Sequence, residues 1–246
     1  MKKTISVFLS IILLSIPSFA VKSQGKNWYF SSKGQNERPS LPAVDERQAK
    51  GIGKDEKVIY LTFDAGYENG NVEKIVNVLR ENQVTGAFFI LKHFAEKNPE
   101  LCKTMRKDGN LICNHSASHP NFTTLSPEEI EKEIRGMEDV YTQVTGDKLD
   151  PFFRPPEGAY NEDVLEQVSA LGYKTVFWSL AWADWDNNDQ KSPEYAMGKL
   201  LPRLHNGAVI LLHPTSETNT KILGDLIRIC KENGYRFGSL EELWEG

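Results

Sequence analysis

The hydrophobic positions of this chain fall into two alternating patterns. Short, continuous apolar runs occur at 58–63 (VIYLTF), 86–91 (GAFFIL), 110–113, 152–153, 174–179 (KTVFWS) and 208–212 (AVILL), with a weaker run at 235–237. Runs of this length, rich in Val, Ile and Phe, predict strands buried on both faces. Between them lie segments of helical period. VEKIVNVLREN predicts a helix over 72–82, and PELCKTMRKDG predicts one from Pro99 that ends on Gly109 as a C-cap. Ser126-Pro127-Glu128-Glu129 supplies an N-cap, a proline at the first helical position and an acid at the third, opening a helix to about Val144. Further helices fit 161–171, 192–205 and 219–233.

Seven strands alternating with helices predict an α/β fold with a parallel sheet, open or closed into a barrel. The alternating region runs from Val58 to Gly246, which is short for eight full βα units at about 250 residues. A smaller or distorted (β/α) barrel of about seven parallel strands fits better.

Residues 24–57 carry no sustained period and are rich in Gly, Pro, Ser and Lys. They read as an N-terminal arm packed at the domain edge through Trp28-Tyr29-Phe30, or equally as a linker. The first 20 residues place Lys2-Lys3 before an apolar stretch and end in Ser18-Phe19-Ala20. This is the pattern of a signal peptide, so the chain divides into 1–20 (signal), 21–57 (arm) and 58–246 (catalytic domain). The expected location is therefore outside the cytoplasm, with retention by an uncleaved N-terminal segment as the alternative.

Losing the signal removes two lysines and no acid, so a chain of net charge −5 becomes more negative. That argues against nucleic acid as a partner, since phosphate binding needs a basic face. Three cysteines, Cys102, Cys113 and Cys230, are too few for a disulfide scaffold and read as small buried hydrophobes. A Cys102–Cys113 bridge is the alternative.

Chemistry-bearing residues collect after the strands. Asp64 follows the first run, His115 and His119 the third, Arg154 the fourth, Asp184 the fifth and His213 the sixth. In parallel α/β folds these strand ends form one face, where chemistry is done. Each residue also has a plain structural reading. The His-x-x-x-His spacing suits two imidazoles on one metal if the loop makes a helical turn, but such pairs are often structural. Arg154 could be a surface residue before the rigid Pro155-Pro156 turn. His213 could be a hydrogen-bonded core histidine. The aromatics of WSLAWADWDNND, Trp185 among them, could be core or a sugar-stacking wall beside Asp184. The constellation of five strand ends, more than any one motif, indicates an enzyme.

The motifs TFDAG, HSASH, RPPEG, ADW and LLH occur in the order and approximate spacing of the polysaccharide deacetylase (NodB-homology) family, which the chain resembles over about residues 58–240. Within it, TFDAGYENG, RPPEG and VFWSLAWADW are similar to the delta-lactam-biosynthetic de-N-acetylases of spore-forming bacteria. That resemblance implies a distorted (β/α) barrel. It also implies removal of acetyl from N-acetylmuramic acid in peptidoglycan, so that muramic delta-lactam can form in spore cortex. N-acetylglucosamine in peptidoglycan or chitin oligomers is the alternative substrate, and a non-catalytic glycan-binding domain the alternative class. By resemblance Asp64 is the general base, Arg154 its orienting partner, and His115 and His119 the metal ligands. His213 is the general acid tuned by Asp184, the Glu157 backbone N–H faces the oxyanion, and Leu211 walls the acetate pocket. The implied cofactor is a divalent ion, zinc, cobalt, manganese or magnesium. The implied partners are the glycan strand and, functionally, a muramoyl-L-alanine amidase. The implied site of action is the cell wall or the forespore intermembrane space. The chain departs from the family at Ala65, where a second aspartate usually binds metal, and at Ala181, where another aspartate is frequent.

Overall fold

The computed structural model describes residues 23–32 and 34–245, so the expected signal peptide lies outside the described residues. In chain order the strands are β1 Lys26–Asn27, β2 Ala49–Lys50, β3 Val58–Ala65, β4 Ala87–Ile90, β5 Leu111–Asn114, β6 Asp150–Phe153, β7 Ala159–Tyr160, β8 Lys174–Val176, β9 Leu180–Ala181, β10 Ala208–Leu212 and β11 Arg236–Phe237. The helices are α1 Val72–Glu81, α2 Lys92–Lys97, α3 Pro99–Lys107, α4 Pro127–Thr145, α5 Glu162–Ala170, α6 Pro193–Leu200, α7 Glu217–Glu232 and α8 Leu240–Trp244.

One nine-stranded sheet carries the fold, in the order β2-β8-β6-β5-β4-β3-β10-β9, with β11 beside β3. Every named pairing in it is parallel. The chain beyond β2 crosses from β8 toward β10, where Ile52 bridges Ala208. The result is a distorted (β/α) barrel with surrounding helices. It has nine strands rather than the seven expected, because β2 and β9 are two-residue strands too short to leave a hydrophobic pattern.

Alternation along β3 sorts its side chains into two layers. Ile59, Leu61, Phe63 and Ala65 join the helix-side core with Ile75, Leu79, Ile222 and Leu226 of α1 and α7. Val58 and Tyr60 pack inside the barrel with Phe89, Phe152 and Val209. Leu240 and Leu243 of α8 belong to that inner cluster. Asp64 shares the parity of Val58, Tyr60 and Thr62. The period that buries an apolar residue at 60 therefore delivers a carboxylate to the barrel interior at 64.

The run 174–179 does not form one strand. β8 stops at Val176, and β9 begins at Leu180. Arg154 donates to the carbonyls of Val176 (2.9 Å) and Phe177 (3.3 Å), just where β8 ends. The expected 192–205 helix is α6 followed by a tighter turn at Leu201–Arg203, where Pro202 lacks the N–H an α-helix needs.

The segment 23–57 packs on the barrel. β1 pairs with β7, and the Trp28 ring stacks on Phe177 at 4.0 Å with an interplanar angle of 5°. Trp28 Nε1 donates to Trp178 O at 2.7 Å, while Arg38 donates to the carbonyls of Gly53, Lys54 and Asn206. Tyr29 is exposed. All three cysteines are free and buried, so the Cys102–Cys113 bridge is absent. No helix among the described residues is long and apolar enough to cross a membrane.

Candidate active site

Asp64, His115, His119, Glu157, Trp185, Leu211 and His213 line one cleft of about 840 Å³. Arg154 and Asp184 stand behind that wall, each bonded to a residue in it. All nine candidates from the sequence thus belong to one site.

Arg154 is fully buried and not the surface residue its plain reading allowed. Its Nη1 donates to Asp64 Oδ1 at 2.7 Å, its Nη2 to Thr62 Oγ1 at 2.9 Å and its Nε to Val176 O. The guanidinium lies 4.2 Å from the Phe89 ring centre and 5.6 Å from that of Trp178. A buried cation is tolerable because its donors meet acceptors and both aromatic faces attract it. Burial alone would raise the Asp64 pKa, but the charge and hydrogen bond of Arg154, with the charge of His213, outweigh it and hold Asp64 below the ordinary carboxylate value. Asp64 is therefore an anion at neutral pH with Oδ1 occupied by Arg154.

His115 follows β5 directly. Its Nδ1 meets Arg154 O at 2.8 Å, so Nδ1 carries the proton and Nε2 keeps its lone pair. Nε2 lies 3.7 Å from Asp64 Oδ2. Burial first, and His119 in addition, push His115 down to about 4 against the pull of Asp64, which keeps the imidazole neutral. The loop to His119 is not the helical turn that the four-residue spacing invited. Ser116 and His119 adopt left-handed conformations (φ 80° and 62°), fixed by Asn114 Oδ1 accepting from Ser116 N and Ser116 Oγ accepting from His119 N. The two rings still approach to 5.0 Å, at 75° to each other.

The second dyad sits at the end of β10. His213 Nδ1 meets Asp184 Oδ1 at 2.7 Å, and the His213 backbone N–H donates to Asp184 Oδ2 at 2.8 Å. Burial would lower the His213 pKa, but the charge and hydrogen bond of Asp184, aided by Asp64, raise it above the ordinary imidazole value. Trp185 stands half-open at the rim, its ring 6.5 Å from that of His213 and 65% exposed.

Glu157 reaches the cleft from a left-handed conformation (φ 59°, ψ 3°), and Gly158 follows with φ 67°. A β-carbon on Gly158 would meet Trp178 at 2.7 Å and Trp28 at 3.1 Å, so the turn is closed by the arm. Strain of this kind at a non-glycine residue is common at functional sites.

Sequence reasoning missed several contributors. Asn219, fully buried in the first turn of α7, donates to Asp184 Oδ2 at 2.6 Å and to His213 O at 2.9 Å. Trp182 Nε1 in turn donates to Asn219 Oδ1 at 3.2 Å. Thr62 links Arg154 to the Ile210 carbonyl. Phe30, Tyr195, Lys199 and Arg203 also line the cleft. The signals in the sequence for this group were the polar Thr62 inside an apolar run, Phe30 in the arm's aromatic cluster and Trp182 in the aromatic stretch before Asp184.

For a divalent ion, the donor set is two imidazoles with Asp64 beside one of them. A neutral His115 whose Nδ1–H is tied to a carbonyl suits metal ligation through Nε2. Among the described residues no group of three or more His, Cys, Asp or Glu has metal-holding geometry. Ala65 is fully buried in the helix-side core and contributes no oxygen. The site thus fits an ion held by few protein ligands, with the rest of its shell supplied by water or substrate.

The sequence profile of the polysaccharide deacetylase family matches residues 51–176. The chain is 37% identical over 252 residues to the peptidoglycan-N-acetylmuramic acid deacetylase PdaA of Bacillus subtilis, an alignment covering 99% of this chain and 96% of that protein. The structure of B. subtilis PdaA, a family 4 carbohydrate esterase, superposes with a TM-score of 0.86 at 39% identity, covering 91% of this chain and 98% of the other. A family 4 carbohydrate esterase from Bacillus anthracis gives 0.74 at 33% identity, over 92% and 98% of the chains. A CE4 family pseudoenzyme from the same organism gives 0.73 at 26% identity, over 79% and 68%.

Proposed function

The chain belongs to the polysaccharide deacetylase family, and on that premise we propose that it hydrolyses the N-acetyl group of N-acetylmuramic acid in peptidoglycan. The observation that carries this reading is the pairing of opposite protonation states across one cleft. Asp64 is held anionic by Arg154, while His213 is held toward its cationic form by Asp184. Two groups driven apart in this way are the base and acid an amide hydrolysis needs.

Asp64 takes a proton from the attacking water, whose oxygen bonds to the acetyl carbon. Arg154 occupies Asp64 Oδ1, which leaves Oδ2 for that proton. His213 gives its ring proton to the amine nitrogen as the carbon–nitrogen bond breaks, so acetate and a free amine leave. Asp184 and Asn219 fix the imidazole that does this. The Glu157 backbone N–H faces the carbonyl oxygen, Leu211 packs against the acetyl methyl, and Trp185 stacks on the sugar. A divalent ion on His115 and His119 would polarise the acetyl carbonyl and stabilise the charge developing on its oxygen.

A retained acid–base pair with all its supports favours catalysis over a binding-only role. The near full-length similarity to a muramic acid deacetylase supports the substrate assignment. On this reading the product amine goes on to form muramic delta-lactam in spore cortex, after an amidase has removed the stem peptide. The protein works outside the cytoplasm, in the cell wall or the forespore intermembrane space. The test is mass spectrometry of peptidoglycan strands incubated with the protein and a divalent ion, with and without amidase pretreatment. Loss of acetyl from muramic acid is the expected result, and loss confined to glucosamine would overturn it.

A further inference from the structure

Two cations, neither of them in an ion pair among the described residues, face the same cleft as Asp64, Glu157 and His213. Lys199 lies in the last turn of α6, and Arg203 in the turn that follows. Among the described residues neither has a carboxylate within ion-pairing distance; Lys199 is exposed and Arg203 half-buried. Arg203 is nonetheless held in place. Its Nε donates to Lys199 O at 2.6 Å and its Nη2 to Ala181 O at 3.2 Å, with the guanidinium 5.8 Å from the Phe30 ring centre. Lys199 Nζ lies 5.0 Å from the Tyr195 ring centre. Burial lowers the Arg203 pKa, and no neighbouring charge offsets it. In a chain of net charge −5, a half-buried arginine held on carbonyls with no acid paired to it, beside a lysine on the same cleft wall, suits an anion from outside.

The chemistry of the proposed substrate supplies one. Muramic acid differs from glucosamine by a lactyl ether on O3, the oxygen borne by the ring carbon next to the one that bears the acetamide. Its carboxylate is thus one ring position from the reacting bond, within the walls of the cleft that encloses that bond. The charge exists only once the stem peptide is gone, because in intact strands the lactyl carboxyl is an amide.

We propose that Lys199 and Arg203 receive the lactyl carboxylate of the sugar whose acetamide is cleaved, and so select peptide-free muramic acid over glucosamine. This rests on the reading that muramic acid is the substrate. Arg203, with two donors already committed to carbonyls, presents its remaining edge as a fixed donor, and Lys199 adds a mobile charge.

The test compares kcat and KM of the full chain, with a divalent ion, on three substrates: amidase-stripped strands, the same strands with lactyl carboxylates methyl-esterified, and strands bearing stem peptide. The expected result is a preference for the free acid over the ester of about tenfold in kcat/KM, carried mainly by KM. That ratio falls toward one in a Lys199→Ala/Arg203→Gln double variant and is largely retained in Arg203→Lys. Equal KM for acid and ester, with muramic deacetylation intact, overturns this inference and leaves the proposed function standing. Deacetylation of glucosamine alone overturns both. A preference for peptide-bearing strands that the double variant loses would assign the cations to a stem-peptide carboxylate and overturn the lactyl assignment. A double variant that keeps the wild-type ratio also overturns it.

Discussion

Asn219 donates its side-chain amide to Asp184 Oδ2 at 2.6 Å, while Asp184 Oδ1 meets the His213 ring nitrogen at 2.7 Å. The same amide also donates to the His213 carbonyl, so one residue holds both members of the Asp184–His213 dyad. The ring then has one orientation, with Nδ1 bound and Nε2 left for the cleft. This arrangement has consequences for the pH dependence of turnover.

The folded His213 pKa is raised above its ordinary 6.5, so the protonated acid persists above that pH and is lost as pH rises through the raised value. The basic limb of kcat against pH should therefore lie above 6.5. Asp184→Asn removes the charge that raises the pKa, and burial then lowers it. The limb should move to lower pH, with kcat falling by about 10²–10⁴-fold. Asn219→Ala should move it in the same direction by less. A limb that stays put in Asp184→Asn would separate His213 from the observed titration.

Arg154 supports both the fold and the site. Arg154→Met leaves Asp64 buried without its cation, and the expected loss is about 3–5 kcal/mol of stability. Urea unfolding monitored by circular dichroism measures it. The loss should shrink in the Asp64→Asn/Arg154→Met double variant, since no buried charge is left uncompensated.

The arm and the Glu157 turn should behave as one unit. Trp28 is buried against Phe177, and its β-carbon closes on Gly158. Trp28→Ala should cost about 3–5 kcal/mol, as expected for a buried tryptophan. Gly158→Ala should be destabilising by about 1–3 kcal/mol, from the overpacking against Trp178 and the left-handed backbone. Both should also lower kcat, because they release the turn that presents Glu157. Thermal unfolding and turnover of the same samples check the pair.

Metal removal is the fourth expectation. With two imidazoles and no carboxylate from position 65, a chelator should strip the ion readily and abolish hydrolysis. Adding back a divalent ion should restore it. His115→Ala should need a higher metal concentration for half-maximal activity, read by titration.

Much of this was legible in the chain because strand and helix periods survive in local sequence. The run VIYLTF places Asp64 at the end of β3, and Ser126-Pro127-Glu128-Glu129 opens α4 with the capping box that residue pattern implies. What escaped depends on contacts between distant segments. Where β8 ends, the Val176 carbonyl is bonded by Arg154, 22 positions earlier. Trp28 meets Trp178 across 150 positions, and no local pattern encodes that. Asn219 resembles an ordinary polar residue in a helix's first turn, and only its complete burial reveals its role. The positions of β2 and β9 rest on two residues each, below the length at which a period can be read.

The most direct test of the account is acetate release from amidase-stripped peptidoglycan by the wild type and by Asp64→Asn, both saturated with divalent ion. The substitution keeps the shape and removes the base. Wild type should release acetate from muramic acid, while Asp64→Asn should lose at least about 10²-fold in kcat with its fold intact. Acetate release by Asp64→Asn at the wild-type rate would contradict it.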